Sequence, residues 1–303
     1  MKRKYIILFL LRFSLFLLST QSLGAEGEME ETAMGFIGAE TCQECHEDTY
    51  ASYARSIHSR KVIKGPAAQN ACETCHGAGA EHVEKGGGRD VAIFAFDDDV
   101  DPAAKSAKCL SCHRQNTDMD SWEIGAHARN EISCDSCHDL HADTSQRPSE
   151  PEVCFECHQS VRIEVNKRSH HPIIEGKVSC SSCHQPHGSL TEGGLKTAGS
   201  QELCYECHAD KRGPYIYDHP PVEEDCMICH TPHGSRHARL MKEKVPNICQ
   251  DCHDWSRHPG TPYDNEAGFA GSGPSNRFFA RSCLNCHGTI HGSNTFENHR
   301  FTR

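Results

Sequence analysis

The stretch Cys180-Ser181-Ser182-Cys183-His184-Gln185-Pro186-His187 contains a C-x-x-C-H motif, followed three residues later by a second histidine. The five-residue motif occurs ten times in the 303-residue chain. Its copies begin at Cys42, Cys72, Cys109, Cys134, Cys154, Cys180, Cys204, Cys226, Cys249 and Cys283. Together they use all 20 cysteines, so no cysteine is left for a disulfide, a separate zinc site or a nucleophile.

The spacing inside the motif is that of covalent haem attachment. Two thiols three positions apart can add to the two vinyl groups of one haem, and the following histidine then reaches the iron from one face. Structural zinc sites and a disulfide framework are the alternatives, but neither requires a histidine after every cysteine pair. We therefore predict ten haem c groups. The predicted covalent sites are Cys42 and Cys45, Cys72 and Cys75, Cys109 and Cys112, Cys134 and Cys137, Cys154 and Cys157, Cys180 and Cys183, Cys204 and Cys207, Cys226 and Cys229, Cys249 and Cys252, and Cys283 and Cys286. The predicted proximal iron ligands are His46, His76, His113, His138, His158, His184, His208, His230, His253 and His287.

The 23 histidines include 13 outside the motifs, and most of these occupy repeated positions. Motifs at Cys134, Cys180 and Cys226 start 46 residues apart. In each case one histidine precedes the motif, another follows its motif histidine by three residues, and a second motif closes the unit. Such self-similarity is typical of a repeat architecture in which each unit contacts its neighbours. The distal ligand candidates chosen by this spacing are His58, His82, His127, His141, His171, His187, His219, His233, His258 and His291. His170 is an alternative to its neighbour His171.

We call the first motif of each repeated unit, for example the one at Cys180, its opening motif. The histidine that follows an opening motif is constrained by geometry. Because it comes one helical turn after the motif histidine, it lies on the same helix face and cannot reach the opposite side of its own haem. We expect such a histidine, for example His187, to bind the next iron along and to bring the two haems close together.

Composition indicates how such a chain folds. Hydrophobic residues make up 36% of it, and ten haems would leave only about 30 residues for each. A chain with so few residues per haem cannot build an ordinary apolar core. The haems themselves must therefore form the core, and folding must depend on them. The predicted fold class is a multihaem cytochrome c, with mostly short helices and irregular loops around an elongated chain of ten haems and very little strand.

The N-terminus reads as a cleaved secretory signal peptide over residues 1–25. Basic residues precede an apolar run over Ile6–Leu18, and Leu23–Ala25 is a plausible cleavage site. Residues 26–303 are predicted to form one decahaem domain with pentahaem halves at about 42–158 and 180–291. Removing residues 1–25 takes away four basic residues, so the formal net charge falls from −11 to −15 (−11 − 4). This charge argues against nucleic acid as a partner.

Four specific strings carry a resemblance to a known family. They are NKRS at Asn166–Ser169, CYECHADKRGP at Cys204–Pro214, CHTPHGS at Cys229–Ser235 and SCLNCHGTIHGSN at Ser282–Asn294. From about Cys42 to the C-terminus, the chain resembles the periplasmic decahaem cytochromes of the MtrA/DmsE type, the cytochrome components of porin–cytochrome conduits. The resemblance implies bis-histidine ligation of every haem and a location in the periplasm, associated with the outer membrane.

The same resemblance implies partners and a physiological role. The partners would be an outer-membrane β-barrel porin, a periplasmic or inner-membrane quinol-linked cytochrome as donor, and an extracellular multihaem cytochrome or mineral as acceptor. The role would be extracellular electron transfer, in either metal reduction or iron oxidation, through a wire of haems inside the barrel.

Two other functions stay open: a diffusible periplasmic electron shuttle to a terminal reductase, and a multihaem oxyanion reductase. A reductase needs an iron with an open axial position. Here all ten motifs end in histidine, and the distal candidates are numerous enough to saturate every iron. The sequence therefore favours an electron carrier without substrate turnover over an enzyme.

Overall fold

The computed structural model describes residues 35–141, 149–253, 263–264, 268–269, 283–285, 287–296 and 301. Short helices joined by irregular loops make up these segments, with only two small pairs of strands. This confirms the predicted fold class. The predicted signal peptide lies outside the described residues, as do the ligand candidates Cys286 and His258.

Helices in the described segments are short. The α-helices span Ala39–Gln43, Glu47–Arg55, Cys72–His76, Ala80–Glu84, Pro102–His113, Ala126–Arg129, Glu152–Phe155, Gln159–Val165, Ser200–Tyr205, Pro220–Glu224 and Asn247–Gln250. The 3-10 helices span Ile57–Ser59, Pro66–Ala68, Thr117–Met119, Trp122–Ile124, Cys134–Ser136, Cys180–Ser182, Glu192–Gly194, Ala209–Lys211, Cys226–Ile228, Ala238–Leu240 and Cys283–Asn285. The longest of these helices has 12 residues and starts at Pro102. Proline has no backbone N–H, but this position loses no hydrogen bond because the N–H groups of a helix's first turn have no partner within the helix.

Each haem-attachment motif forms a single helical turn. In eight motifs the histidine N–H donates to the carbonyl oxygen of the first cysteine at 2.8–3.1 Å. The other two motifs lie inside the α-helices Cys72–His76 and Pro102–His113. One turn therefore holds both thiols and the imidazole of a motif within reach of one ligand.

The strands are two residues long. Ser169–His170 pairs antiparallel with Gly234–Ser235, and Tyr263–Asp264 pairs antiparallel with Gly268–Phe269. The first pair brings Ser169–His170, which precedes the motif at Cys180, beside Gly234–Ser235, which follows the motif at Cys226.

Contacts divide the chain into two compact units. The first unit comprises residues 1–113 and 133–147 and carries the motifs at Cys42, Cys72, Cys109 and Cys134. The second comprises residues 114–132 and 148–303 and carries the other six. The pentahaem halves expected at about 42–158 and 180–291 stay a prediction.

In the first unit, a buried carboxylate joins two motifs. Glu73 lies between the cysteines of the second motif and is only 3% exposed. Its oxygens accept hydrogen bonds from the backbone N–H groups of Ile37, Gly38 and Gly79 at 2.8–3.0 Å. Ile37 and Gly38 lead directly into the helix Ala39–Gln43, so Glu73 fixes the approach to the first motif.

In the second unit, the apolar core is small. Phe155, Val165 and Ile173 form its buried cluster, and Val161 and Val178 pack against it. Only a few further apolar residues are buried anywhere in the described chain. The polypeptide contributes little apolar core, which agrees with a fold organised around bound cofactors.

No helix in the described part of the chain is both long enough and apolar enough to cross a lipid bilayer.

Candidate haem-binding sites

The structure places motif histidines opposite histidines from outside the motifs. Eight such pairs can be described, with ring centroids 5.9–6.4 Å apart. The pairs, motif histidine first, are His46 and His82, His113 and His58, His76 and His141, His158 and His127, His208 and His171, His184 and His233, His253 and His219, and His230 and His291. Each pair lies within one of the two units.

This spacing fits two imidazoles on opposite sides of one metal ion. An imidazole nitrogen lies about 2.0 Å from a bound first-row metal and about 1.2 Å from its own ring centroid, so the two centroids would be about 6 Å apart. Ordinary aromatic pairs range over about 4.5–7 Å. The narrow spread here, and the presence of one motif histidine in every pair, fit axial ligation of a haem iron.

Hydrogen bonds fix which nitrogen of each ring is available. The Nδ1 atoms of three motif histidines contact backbone carbonyl oxygens at 2.8–2.9 Å: His76 to Phe94, His184 to Gly193 and His230 to Arg239. Three distal candidates do the same at 2.5–2.9 Å: His82 to Val91, His127 to Pro186 and His171 to Pro232. A carbonyl can only accept, so Nδ1 carries the proton and Nε2 keeps a free lone pair for a metal.

Burial favours the neutral form, which is the form that binds metals, at seven of the predicted ligands. It is the main cause of lowered pKa values at several histidines, since a charged ring loses solvation there. The affected residues are His58, His76, His138, His219, His230, His233 and His291. All seven are predicted ligands.

His170 shares the Nδ1 contact to a backbone carbonyl with its neighbour His171 but differs in the partner of its Nε2 atom. Its Nε2 lies 3.0 Å from Oε1 of Glu175, and its Nδ1 lies 2.6 Å from the Lys167 carbonyl oxygen. Its hydrogen bond to Glu175 raises the pKa of His170. His171 instead faces the motif histidine His208. The geometry therefore favours His171 as the ligand.

The other predicted ligands are placed as follows. His187 is half-buried in a turn after its motif, and the motif histidines His138 and His287 are half-buried at the ends of theirs. His258 and Cys286 lie outside the described residues.

The cysteines show that successive motifs are neighbours within each unit. The first cysteine of one motif lies close enough to the first cysteine of the next for their thiols to interact, and the second cysteines of other successive motifs are close enough to interact electrostatically. The pairs of first cysteines are Cys42 and Cys72, Cys109 and Cys134, Cys154 and Cys180, Cys204 and Cys226, and Cys249 and Cys283. The electrostatic pairs are Cys75 and Cys112, Cys183 and Cys207, and Cys229 and Cys252. Alternating contacts of this kind set the motifs side by side in chain order.

The histidine pairs also correct one expectation. We expected the histidine after an opening motif to reach the next iron along. The structure instead places His141, His233 and His291 against the motif histidine two motifs back. The histidine before an opening motif faces the motif that closes its own unit, as His219 faces His253. Each sequence repeat thus places one histidine opposite a motif histidine of its own and another opposite a motif histidine of the repeat before.

The sequence analysis missed two features of these sites. Gly188, Gly234 and Gly292 each follow a distal candidate and touch the segment after an earlier motif so closely that a side-chain carbon would overlap it. The signal that could have revealed them is the recurrence of His-Gly after the motif histidine, as C-x-x-C-H-x-x-H-G at Gly188 and Gly234 and with one more residue before His291. The second feature is Glu164, which contacts His233 and has no such signal.

Comparisons with known proteins agree with this geometry. The family described as "Doubled CXXCH motif" matches residues 170–213 and 219–258. The family described as "Cytochrome c-type protein NrfB-like" matches residues 72–148. The chain is 37% identical over 264 residues to "Multiheme cytochrome MtrA" of Shewanella baltica (strain OS185), an alignment that covers 85% of this chain and 79% of that protein.

Proposed function

The chain belongs to the MtrA family of multihaem c-type cytochromes, and from that premise we propose that it is an electron wire across the outer membrane. Membership implies electron transfer through bound haem c. The count of ten haems, the ligands of each and the conduit role are our proposal.

We propose bis-histidine ligation throughout, by the ten motif histidines and the ten distal candidates. The observation that carries this proposal is the set of eight opposed histidine pairs. Nδ1 contacts to backbone carbonyls support it independently, because they leave Nε2 of rings such as His76 and His171 free for iron.

The haems would supply one-electron chemistry. The cysteines of the motifs would anchor them through thioethers, the paired histidines would hold the irons, and the packing of the chain keeps successive motifs adjacent. Paired imidazoles lower a haem's potential relative to histidine–methionine ligation. Because a second histidine already faces the motif histidine in each of the eight pairs, a substrate would have no open axial position there. We therefore propose a carrier without substrate turnover.

The conduit role follows from the same features together with the physics of lipid. Polar loops like those of this chain cannot face hydrocarbon, because their backbone groups would lack hydrogen-bond partners. A porin-type barrel has a polar interior that could enclose them. We propose such a barrel as the partner, with a quinol-linked cytochrome as donor and an extracellular multihaem cytochrome or mineral as acceptor. The location would be the periplasm, at the outer membrane.

Saturated ligation is tested by carbon monoxide. The holoprotein, once reduced, should bind no appreciable carbon monoxide, and its oxidised form should show only low-spin haem by electron paramagnetic resonance. A stoichiometric high-spin signal, or one carbon monoxide bound per protein, would contradict saturation and favour the oxyanion reductase.

The conduit role is tested in liposomes that carry the cytochrome with its candidate barrel partner and enclose an electron acceptor. Electrons from an external donor should reach the acceptor only when both proteins are present, and the reverse arrangement tests the opposite direction. If the cytochrome is isolated from its host only as a soluble protein without a barrel, the diffusible shuttle is the better description.

A further inference from the structure

Glu164 makes a contact with His233 that differs in kind from those described for His82, His127 and His171. Its Oε2 atom lies 3.3 Å from Nδ1 of His233, and its Oε1 atom lies 3.5 Å from Nζ of Lys167. His233 in turn faces the motif histidine His184, with ring centroids 6.0 Å apart.

The backbone on both sides holds this contact in place. Glu164 belongs to the helix Gln159–Val165, whose last residue is completely buried. Gly234, next to His233, packs against the carbonyl oxygen of Glu164 and pairs with His170 in the antiparallel strands. The backbone of Glu164 therefore cannot move away from that of Gly234 without disturbing the strand pair.

The acceptor at this position is a charged one. The Nδ1 atoms of His82, His127 and His171 face neutral backbone carbonyls. A carboxylate forms a stronger, charge-assisted hydrogen bond and raises the basicity of a ligating imidazole. A more basic ligand stabilises ferric over ferrous iron.

Gly188 and Gly292 follow the distal candidates His187 and His291 as Gly234 follows His233, and they pack against Ser121 and Tyr215. Neither Ser121 nor Tyr215 carries a carboxylate.

On the basis of the ligation proposed above, we infer that Glu164 lowers the reduction potential of the haem held by His184 and His233. Glu164 is a positioning residue, because it would act through its hydrogen bond to His233. The haem of the sixth motif becomes a step of low potential within the second unit, between neighbours whose described histidine contacts are to neutral carbonyls.

The test is a redox titration of the haem-loaded E164Q variant beside the wild type. We expect one haem's share of the absorbance change to move to higher potential. A tenfold change in the ferrous-to-ferric ratio at fixed applied potential corresponds to about 59 mV for a one-electron couple. One low-spin ferric signal in electron paramagnetic resonance should change with it, while haem content stays the same.

Two further variants separate the hydrogen bond from charge alone. E164D keeps the charge but retracts it from Nδ1, so it should shift the same haem in the same direction. E175Q removes one carboxylate whose hydrogen-bonded histidine, His170, faces no motif histidine in the described pairs, and it should leave the titration unchanged. The inference is overturned if E164Q matches the wild type, or if E175Q shifts the titration equally. Neither result would touch the proposed wire, which fails instead if the wild type lacks saturated, low-spin haems.

Discussion

Glu73 offers the most direct test of how the polypeptide holds its first two motifs together. We predict that E73Q loosens the segment at residues 36–44, which carries the first motif. The carboxylate of Glu73 is 3% exposed and accepts N–H groups from Ile37, Gly38 and Gly79. A glutamine keeps one acceptor oxygen but turns an NH₂ group towards donors that then have no partner.

The size of the effect follows from these bonds. A hydrogen bond to a charged group contributes about 1.5–3 kcal/mol. The glutamine loses at least one such bond and the charge that strengthens the others, so the local opening free energy should fall by about 3 kcal/mol. At 1.4 kcal/mol per factor of ten, the opening equilibrium rises roughly 100-fold. E73A loses all three bonds, and its opening free energy should fall by about 4–5 kcal/mol.

Hydrogen exchange of the holoprotein, followed by mass spectrometry, measures this opening directly. The peptide covering residues 36–44 should lose protection in E73Q, while peptides from the second unit should not. E84Q is the matched control, because Glu84 is exposed at the end of the neighbouring helix Ala80–Glu84. Equal protection in E73Q and E84Q would refute the idea that Glu73 anchors this segment.

Three further predictions concern the sites. H171A should create one high-spin haem that binds carbon monoxide after reduction, whereas H170A should not; the opposite outcome would reverse the choice of ligand. G234A should destabilise the second unit by about 1–3 kcal/mol through overpacking against Glu164, whereas G65A, which has open space around it, should have little effect on thermal unfolding. The free energy of unfolding should begin to fall below about pH 6.5, the ordinary pKa of histidine, because burial lowers the pKa values of His230 and His291. The unfolded chain then binds more protons than the folded one, so stability falls as pH falls through this window, and absorbance spectra should show low-spin haem converting to high-spin.

The motifs and the fold class were predictable from the sequence because haem attachment requires a fixed local spacing. One helical turn is enough to bring Cys180, Cys183 and His184 together, so no knowledge of the tertiary structure was needed. The predominance of short helices and loops followed from the low hydrophobic content.

The partner of each distal candidate could not be predicted in this way. His233 and His184 are 49 residues apart in the chain, and only the packing of Gly234 on the helix Gln159–Val165 and the pairing of Ser169–His170 with Gly234–Ser235 show which segments meet. Local geometry showed that such a histidine cannot bind the haem of its own motif, but it did not show whether the histidine binds an earlier or a later one. Glu164 was missed for a related reason, since a carboxylate on a helix is ordinary until its neighbour in space is known.

The backward reach of the distal histidines also has a consequence for the order of assembly. His141 follows His76 by 65 residues, and His291 follows His230 by 61. A chain made from its N-terminus therefore presents each of these earlier motifs long before its second ligand exists. Haems attached early would wait with one axial site unfilled, and a chain that stopped short would leave its last haems exposed to small molecules. Only completion of the later units would remove that reactivity, so the finished protein would bind small molecules at its haems less readily than its growing intermediates.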